Sequence, residues 1–298
     1  MANVLITGSS TGIGLETALT LARAGHQVCA TMRNPDRSPE LKTIIEKESL
    51  PITVLPLDVN SDESVEQAFR AAISVRGQID VLVNNAGISK HGAVEDLALD
   101  VFRRIMETNY FGALRCIKAV LPAMRERRSG CIVNVTSLNG RIVLGANAAY
   151  SASKFALEAL SEALAQELKT YNVRVAIVEP GVIQTPIFEK ATEDPVDSHY
   201  PHERRLRAVY AASLKKPVSP FVVAEEIRRI VENDDWQLRH PVGPDALPIL
   251  KWRSAIADEE WIARNAVADD DEWYGQVNRE LGLDARRFRR VRSIARGV

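Results

Sequence analysis

The sequence predicts an α/β protein in which a parallel sheet carries helices on both faces, the doubly wound arrangement. Three features predict it. Short runs of branched apolar residues alternate with longer stretches of helical period, a glycine-rich turn joins the first run to the first helical stretch, and no repeat or low-complexity linker divides the 298 residues. At 46% apolar the chain can bury a sizeable core as one large domain or two smaller ones. The unbroken alternation favours a single domain over 1–298, with a substrate lid at about 188–220 and a C-terminal extension at about 241–298.

The first strand is expected at 3–7, Asn3-Val-Leu-Ile-Thr7. Gly8-Ser-Ser-Thr-Gly12-Ile-Gly14 follows at once, and Leu15, Ala18, Leu19 and Ala22 then mark a helix. Further strands are expected at 27–31, 52–57, 79–83, 131–135, 173–178 and 237–240, with helices filling most of the intervals. Asn60 with Glu63 offers a capping box for the helix bearing Val65, Ala68, Phe69 and Ala72. Asn109 falls within the helical pattern Phe102, Ile105, Met106, Tyr110 and Ala113, where an amide side chain is a mediocre helix former. Ligands of such a sheet bind beyond the carboxyl ends of its strands, where Gly8, Asp58, Asn85, Ser137 and Pro180 converge.

A net charge of −1 gives no reason to expect a nucleic acid partner. No apolar run approaches the roughly 20 residues of a membrane span, and a core strand at residue 3 leaves no room for a cleavable signal, so a cytoplasmic protein is expected. Cys29, Cys116 and Cys131 are odd in number and sit among apolar neighbours, as buried reduced thiols do. His199 and His202 have no further ligands nearby, and no metal is expected.

Chemistry enters with Tyr150 and Lys154, four residues apart, and Ser137 upstream. On a helix, positions i and i+4 share a face, so the ammonium can approach the phenol and favour its ionised form, lowering a pKa of about 10 by roughly two to three units. Such a phenol exchanges a proton with a substrate oxygen that Ser137 holds by a hydrogen bond. A surface tyrosine and lysine on an amphipathic helix is the competing interpretation. The glycine turn lets the backbone approach a pyrophosphate, which the amides and positive dipole end of the next helix favour. Tight turns also use glycine for purely steric reasons.

Thr7-Gly-Ser-Ser-Thr-Gly-Ile-Gly14, Asn84-Asn-Ala-Gly87, Asn109, Ser137, Tyr150, Lys154 and Pro180-Gly181 occur in the order and spacing of the short-chain dehydrogenase/reductase family, which the chain resembles over about residues 1–190. Ala30-Thr-Met-Arg-Asn-Pro35 and Pro241-Val-Gly-Pro-Asp-Ala246 also resemble the hydroxysteroid and retinol dehydrogenase branch. The resemblance implies a doubly wound Rossmann-type parallel sheet and a nicotinamide dinucleotide. It implies a pyrophosphate on Gly8, Ser10, Thr11, Gly12, Ile13 and Gly14, and adenosine near Asp58, Val59, Asn85, Ala86 and Gly87. The nicotinamide would lie on Pro180, Gly181, Val182, Ile183 and Thr185. Tyr150 and Lys154 would contact its ribose, and Asn109 would support a water that extends the proton relay. A homo-oligomer, dimer or tetramer, is implied with a seam near Asn109 and Lys154, which the C-terminal extension is expected to cap or modify.

The cofactor choice turns on Thr31-Met32-Arg33, where an enzyme using NADH usually has an acid. Arg33 can hold a 2′-phosphate with a bidentate fork, so NADPH/NADP+ is expected; NADH/NAD+ is the second choice, with Asp36 turned in to the ribose. Ser137, Leu138, Leu144, Tyr150 and Phe188, under a lid carrying Tyr200, Leu206, Val209, Tyr210 and Leu214, suit a small apolar ketone, aldehyde or alcohol such as a steroid, retinoid or aromatic carbonyl. His91 carries little of that expectation. Trp252, Trp261 and Trp273 are expected to pack against a core or a partner, and six arginines between Arg286 and Arg296, which Asp269-Asp-Asp-Glu272 can neutralise locally, to form a frayed end or a subunit contact in preference to an anionic-surface or nucleic-acid site. A non-catalytic dinucleotide-sensing module, and an epimerase or dehydratase using the same Tyr/Lys pair, are the alternative functions.

Overall fold

The computed structural model describes residues 1–193, 198–291 and 294; positions 194–197 of the expected lid, and Arg292 and Arg296 of the arginine-rich tail, lie outside the described residues. Seven parallel strands form one sheet: β1 (Asn3–Thr7), β2 (Gln27–Met32), β3 (Ile52–Pro56), β4 (Val81–Asn84), β5 (Gly130–Val135), β6 (Val173–Pro180) and β7 (Arg239–Val242). Their order is β3-β2-β1-β4-β5-β6-β7, so strand order reverses between β1 and β4. The intervening helices are α1 (Gly12–Arg23), α2 (Pro39–Glu48), α3 (Asp62–Arg76), α4 (Leu99–Met106), α5 (Gly112–Arg127), α6 (Ala148–Leu168), α7 (Ile187–Thr192), α8 (His202–Ser213) and α9 (Phe221–Glu232). After β7 come α10 (Ala246–Ser254), α11 (Asp258–Asn265) and α12 (Asp270–Leu281).

Period-two side-chain alternation sorts the core into two layers. Val4 and Ile6 of β1, with Val28, Ala30, Val81, Val83, Val133 and Val178, pack under Leu19 and Leu21 of α1, Leu41 of α2 and Val223 and Ile227 of α9. Leu5 points the other way and joins Cys29, Leu82, Ile132 and Val175 against Val65 and Phe69 of α3, Ile117 and Val120 of α5 and Leu164 of α6. Both faces being covered, the strands read as continuous apolar runs.

Several boundaries differ from expectation: β4 begins two residues later, at Val81, and β6 runs two residues further, to Pro180. The seventh strand pairs Ile177↔Arg239 through Pro180↔Val242, two residues later than the apolar pattern suggested. Pro241 is tolerated there because β7 is the edge strand, where one missing donor faces no partner. The cap of α3 is Ser61, whose hydroxyl accepts from Ser64 N, and the expected Asn60/Glu63 box does not form. Asn60 N instead donates to Asp58 Oδ1, an Asx turn that ends the β3 exit. Asn109 lies on a wider π turn, Glu107–Phe111, between α4 and α5.

The C-terminal helices pack against α8. Arg205, 1% exposed, donates to Asp270 Oδ1 (2.9 Å), Val267 O (2.7 Å) and Ala268 O (3.1 Å) and lies 5.1 Å from the Trp273 ring centroid. Asp270 also takes Arg204, Asp269 caps α12, and Asp271 faces Arg286 and Arg289 at 3.3 and 4.0 Å. The acidic run thus neutralises nearby arginines. The extension expected to cap or modify an oligomer seam packs, within this chain, on α8.

Candidate active site

The glycine turn is locked by side chains that arrive from β4. Thr7 Oγ1 accepts from Asn85 N and Ala86 N (3.0 Å each), while Asn85 Nδ2 donates to the carbonyls of Thr7 and Gly8 (3.0 and 3.1 Å). A β-carbon on Gly14 would stand 2.4 Å from Gly8 O and from Asn85 Nδ2, so Gly14 is the point where α1 presses on the turn. It does not line the cleft. Gly8 and Gly12 adopt positive φ (71° and 60°), which turns the chain sharply into α1. Thr11, the N-cap of α1, makes no side-chain cap bond, which leaves first-turn amides to be satisfied from outside the protein.

That turn opens onto a cleft of about 1170 Å³ along the carboxyl ends of the strands. Gly8, Ser10, Thr11, Gly12, Ile13, Arg33, Asp58, Val59, Asn85, Ala86 and Gly87 line one end of the predicted set; Pro180, Gly181, Val182, Ile183 and Thr185 line it near Ser137, Leu138, Leu144, Tyr150, Lys154 and Phe188. Arg33 is exposed beside the cleft, whereas Asp36 points to Lys42 at 2.9 Å and does not line it. The cradle therefore fits a dinucleotide: free helix amides, a glycine turn and a cation at the far edge.

Ser137 lines the cleft with Tyr150 and acts on its phenol as a hydrogen-bonding neighbour that favours ionisation, and Ser137 Oγ accepts from Asn139 N at 3.1 Å. Lys154, on α6 one turn beyond Tyr150, is buried and donates to Val135 O at 2.9 Å, with Nζ 5.6 Å from the Tyr150 ring centroid. The expected lowering of the phenol's pKa by the lysine is not what sets it in this chain. Burial pushes the Tyr150 phenol well above the ordinary tyrosine range, and the Ser137 bond offsets only part of that. Burial also lowers Lys154 to about 8, against the opposing pull of Glu158. Asn109 is buried behind the cleft; Oδ1 accepts from Ile88 N (2.8 Å), and Nδ2 donates to Ile88 O and Ser153 Oγ (2.9 Å each). It braces the segment after Gly87, whose missing β-carbon would lie 3.4 Å from Asn109 Oδ1 and 3.7 Å from Lys154 Nζ.

The other half of the cleft joins Phe188 and Tyr210 to His91, of which little was expected, and to Asn139 and Asn147, which the sequence did not mark. His91 stacks on Tyr210 with centroids 5.4 Å apart, and Phe188 tilts against the same ring at 4.9 Å. Burial raises the Tyr210 phenol, and the neighbouring Asn139 side chain offsets part of that. Asn147 and Asp245 also line the cleft, the latter accepting from Val182 N at 2.9 Å and so fixing the Pro180–Gly181–Val182 loop. Trp252, Trp261 and Trp273 reach it from the C-terminal helices, and Trp261 Nε1 donates to Val143 O at 3.0 Å. Among the described residues no group of three or more His, Cys, Asp or Glu is arranged to hold a metal, and no helix is long and apolar enough to cross a membrane.

Residues 2–196 match the family model for short chain dehydrogenases. Retinol dehydrogenase 8 of Bos taurus is 44% identical over 220 residues, covering 72% of this chain and 70% of its own. The crystal structure of a short-chain dehydrogenase from Streptomyces avermitilis superposes with a TM-score of 0.75 at 31% identity, over 89% of this chain and 98% of that one. An alcohol dehydrogenase from the archaeon Thermococcus sibiricus, complexed with 5-hydroxy-NADP, gives a TM-score of 0.67 at 25% identity over 80% and 94% of the respective chains.

Proposed function

The chain belongs to the short-chain dehydrogenase family, and from that premise we propose that it is an NADP(H)-dependent oxidoreductase that interconverts an apolar ketone or aldehyde and its alcohol, favouring reduction. The observation that carries this is the convergence of Ser137, Tyr150 and Lys154 on the cleft that the glycine turn opens. When bound, the nicotinamide supplies or accepts the hydride. Tyr150 donates its proton to the substrate oxygen, Ser137 holds that oxygen in line, and Lys154 takes the ribose hydroxyls. Asn109 positions the strand exit behind them. A phenol kept protonated by burial is an acid at neutral pH, which matches reduction of a carbonyl better than oxidation of an alcohol.

The NADP preference is supported by Arg33 at the cleft edge, by Asp36 being engaged with Lys42, and by the 5-hydroxy-NADP complex of the archaeal relative. Apolar substrates are supported by Leu138, Leu144, Phe188 and Tyr210, and by the name of the retinol dehydrogenase relative. A cytoplasmic setting belongs to the same proposal, supported by three buried cysteines without disulfides. So does a homo-oligomer, supported by half-exposed Phe111 and Phe155 near the expected seam. Tyr150→Phe tests the mechanism: NADPH affinity is retained while turnover of an apolar ketone falls by at least about a hundredfold. Full turnover in that variant would overturn it.

A further inference from the structure

Among the described residues, four polar atoms of residues lining the cleft have no protein partner: Oδ1 of Asp245, whose other carboxylate oxygen accepts from Val182 N, and three on Asn147 and His91. Asn147 is fully buried, and neither its amide oxygen nor its amide nitrogen is hydrogen-bonded. His91, 4% exposed, leaves Nδ1 unpartnered as well. Both residues line the cleft that holds Ser137 and Tyr150. The backbone bond from Gly92 N to Ala146 O, 2.9 Å long, ties together the residues that follow His91 and precede Asn147, so the two side chains flank one rung of main chain.

Neither residue has the usual structural employment of its type. Asn147 is the N-cap of α6, three residues before Tyr150, yet it makes no side-chain cap bond. His91 is held from below by stacking on Tyr210 and by its own N donating to Ala191 O at 3.0 Å. Buried polar groups in folded proteins nearly always find a partner, and those that do not are completed by water or ligand.

We propose that Asn147 and His91 form a polar subsite for a neutral hydroxyl on the substrate, so that the favoured substrate is a hydroxy ketone and not a plain hydrocarbon ketone. This rests on the carbonyl-reductase function proposed above. An amide offers one donor group and one acceptor, and an uncharged imidazole nitrogen offers either, according to tautomer; a hydroxyl, which both donates and accepts, can satisfy them together. Burial, and after it the charges of Lys90 and Arg207, hold His91 neutral, with its pKa lowered to about 3, so the imidazole meets the substrate as an uncharged donor or acceptor. Phe188 and Tyr210 supply the apolar wall along which the carbon skeleton lies.

The test compares a straight-chain methyl ketone with its α-hydroxy and β-hydroxy counterparts of equal chain length, under NADPH, in the full chain and in Asn147→Leu and His91→Phe. Wild type should favour one hydroxy ketone by at least about tenfold in kcat/KM, because a plain ketone leaves the subsite's buried groups unpaired. Both variants should bring that ratio close to one. Asn147→Leu should also melt at or above wild type, since it replaces unpaired polar atoms with an apolar group of similar size. Quenching of the cleft tryptophans by the corresponding diol, on the protein with NADP+, should weaken in both variants. Equal turnover of plain and hydroxy ketones by wild type overturns the subsite and leaves the reductase function standing. Equal loss on both ketones in Asn147→Leu with a lowered Tm assigns Asn147 to structure, the groups being completed by water, and also overturns it. NADPH binding with no turnover of any ketone overturns the reductase function and the subsite with it.

Discussion

Arg205→Met isolates the hold of α8 on the C-terminal helices. In the native chain this guanidinium, almost wholly buried, bonds Asp270, Val267 O and Ala268 O and faces the Trp273 ring. Methionine keeps much of the apolar stem. Asp270 retains Arg204 at 2.6 Å, so no carboxylate is stranded without a partner. What remains is two carbonyls that lose their donor, at about 1–3 kcal/mol each, and one cation–π contact worth about 0.5–2 kcal/mol. The variant should therefore weaken the docking of α12 on α8 by roughly 2.5–8 kcal/mol. Because Trp273 and Val277 line the cleft from α12, the kinetic effect should fall on the substrate side. Amide hydrogen exchange over 258–281 should speed up by more than about thirtyfold, the factor for about 2 kcal/mol, if those helices open as a unit. KM for ketone should rise while NADPH affinity stays at its wild-type value, since Arg205 touches nothing on the glycine turn. Unchanged exchange in α12 together with an unchanged KM would refute the clamp.

Three further outcomes follow from the same cleft. Arg33→Ala should weaken NADPH by about tenfold, a modest figure because the guanidinium is exposed, and should leave NADH affinity unaltered; equal losses measured by titration would sink the phosphate assignment. Gly14→Ala should cost about 1–3 kcal/mol in denaturant unfolding and weaken both dinucleotides, because its β-carbon would stand 2.4 Å from Gly8 O; wild-type stability would count against that packing role. The pH profile of kcat/KM for reduction should be level at neutral pH and fall as pH rises past about 8, where Lys154 gives up its proton while Tyr150 keeps its own. A profile that stays level to well beyond that pH would show that the lysine's charge does not matter to the free enzyme.

The strands were legible because both faces of the sheet are covered, and that makes each strand a run of branched apolar residues bounded by turns. Their ends were less so. Ser61 and Asn60 are equally good caps by composition, and the choice between them is made by Ser64, whose Oγ accepts from Asp58 N at 2.9 Å while its own N donates to Ser61. The glycine turn and the Tyr150/Lys154 spacing could be read because they are local patterns, and both stand on the cleft. Asn109 and Gly14 were also marked, yet both lie behind the cleft, since a motif records which residues a fold needs and not which of them face the cavity. The C-terminal helices and His91 reach the cleft through contacts such as Trp261 to Val143 and Gly92 to Ala146, which join distant stretches of chain and leave no period to read.

The electrostatics of Tyr150 show how far a spacing argument extends. Positions i and i+4 do bring Lys154 beside the phenol, but the ammonium is tied to Val135 O and the ring's surroundings are dry, so desolvation outweighs the cation. A phenol in that state gives up a proton only to an oxygen that is itself gaining negative charge, as a carbonyl does when hydride arrives. Running the other way, the same residue would have to begin as a phenolate in a site that disfavours one, with a lysine whose own charge is weakened by burial and is supported by Glu158. The cost of creating that phenolate is carried by the chain itself before any substrate is chosen. Removing the support, as Glu158→Gln would, lowers the lysine's hold on its proton further and so moves the alkaline fall of kcat/KM to lower pH, and a fall that stays where it is in wild type would refute the coupling.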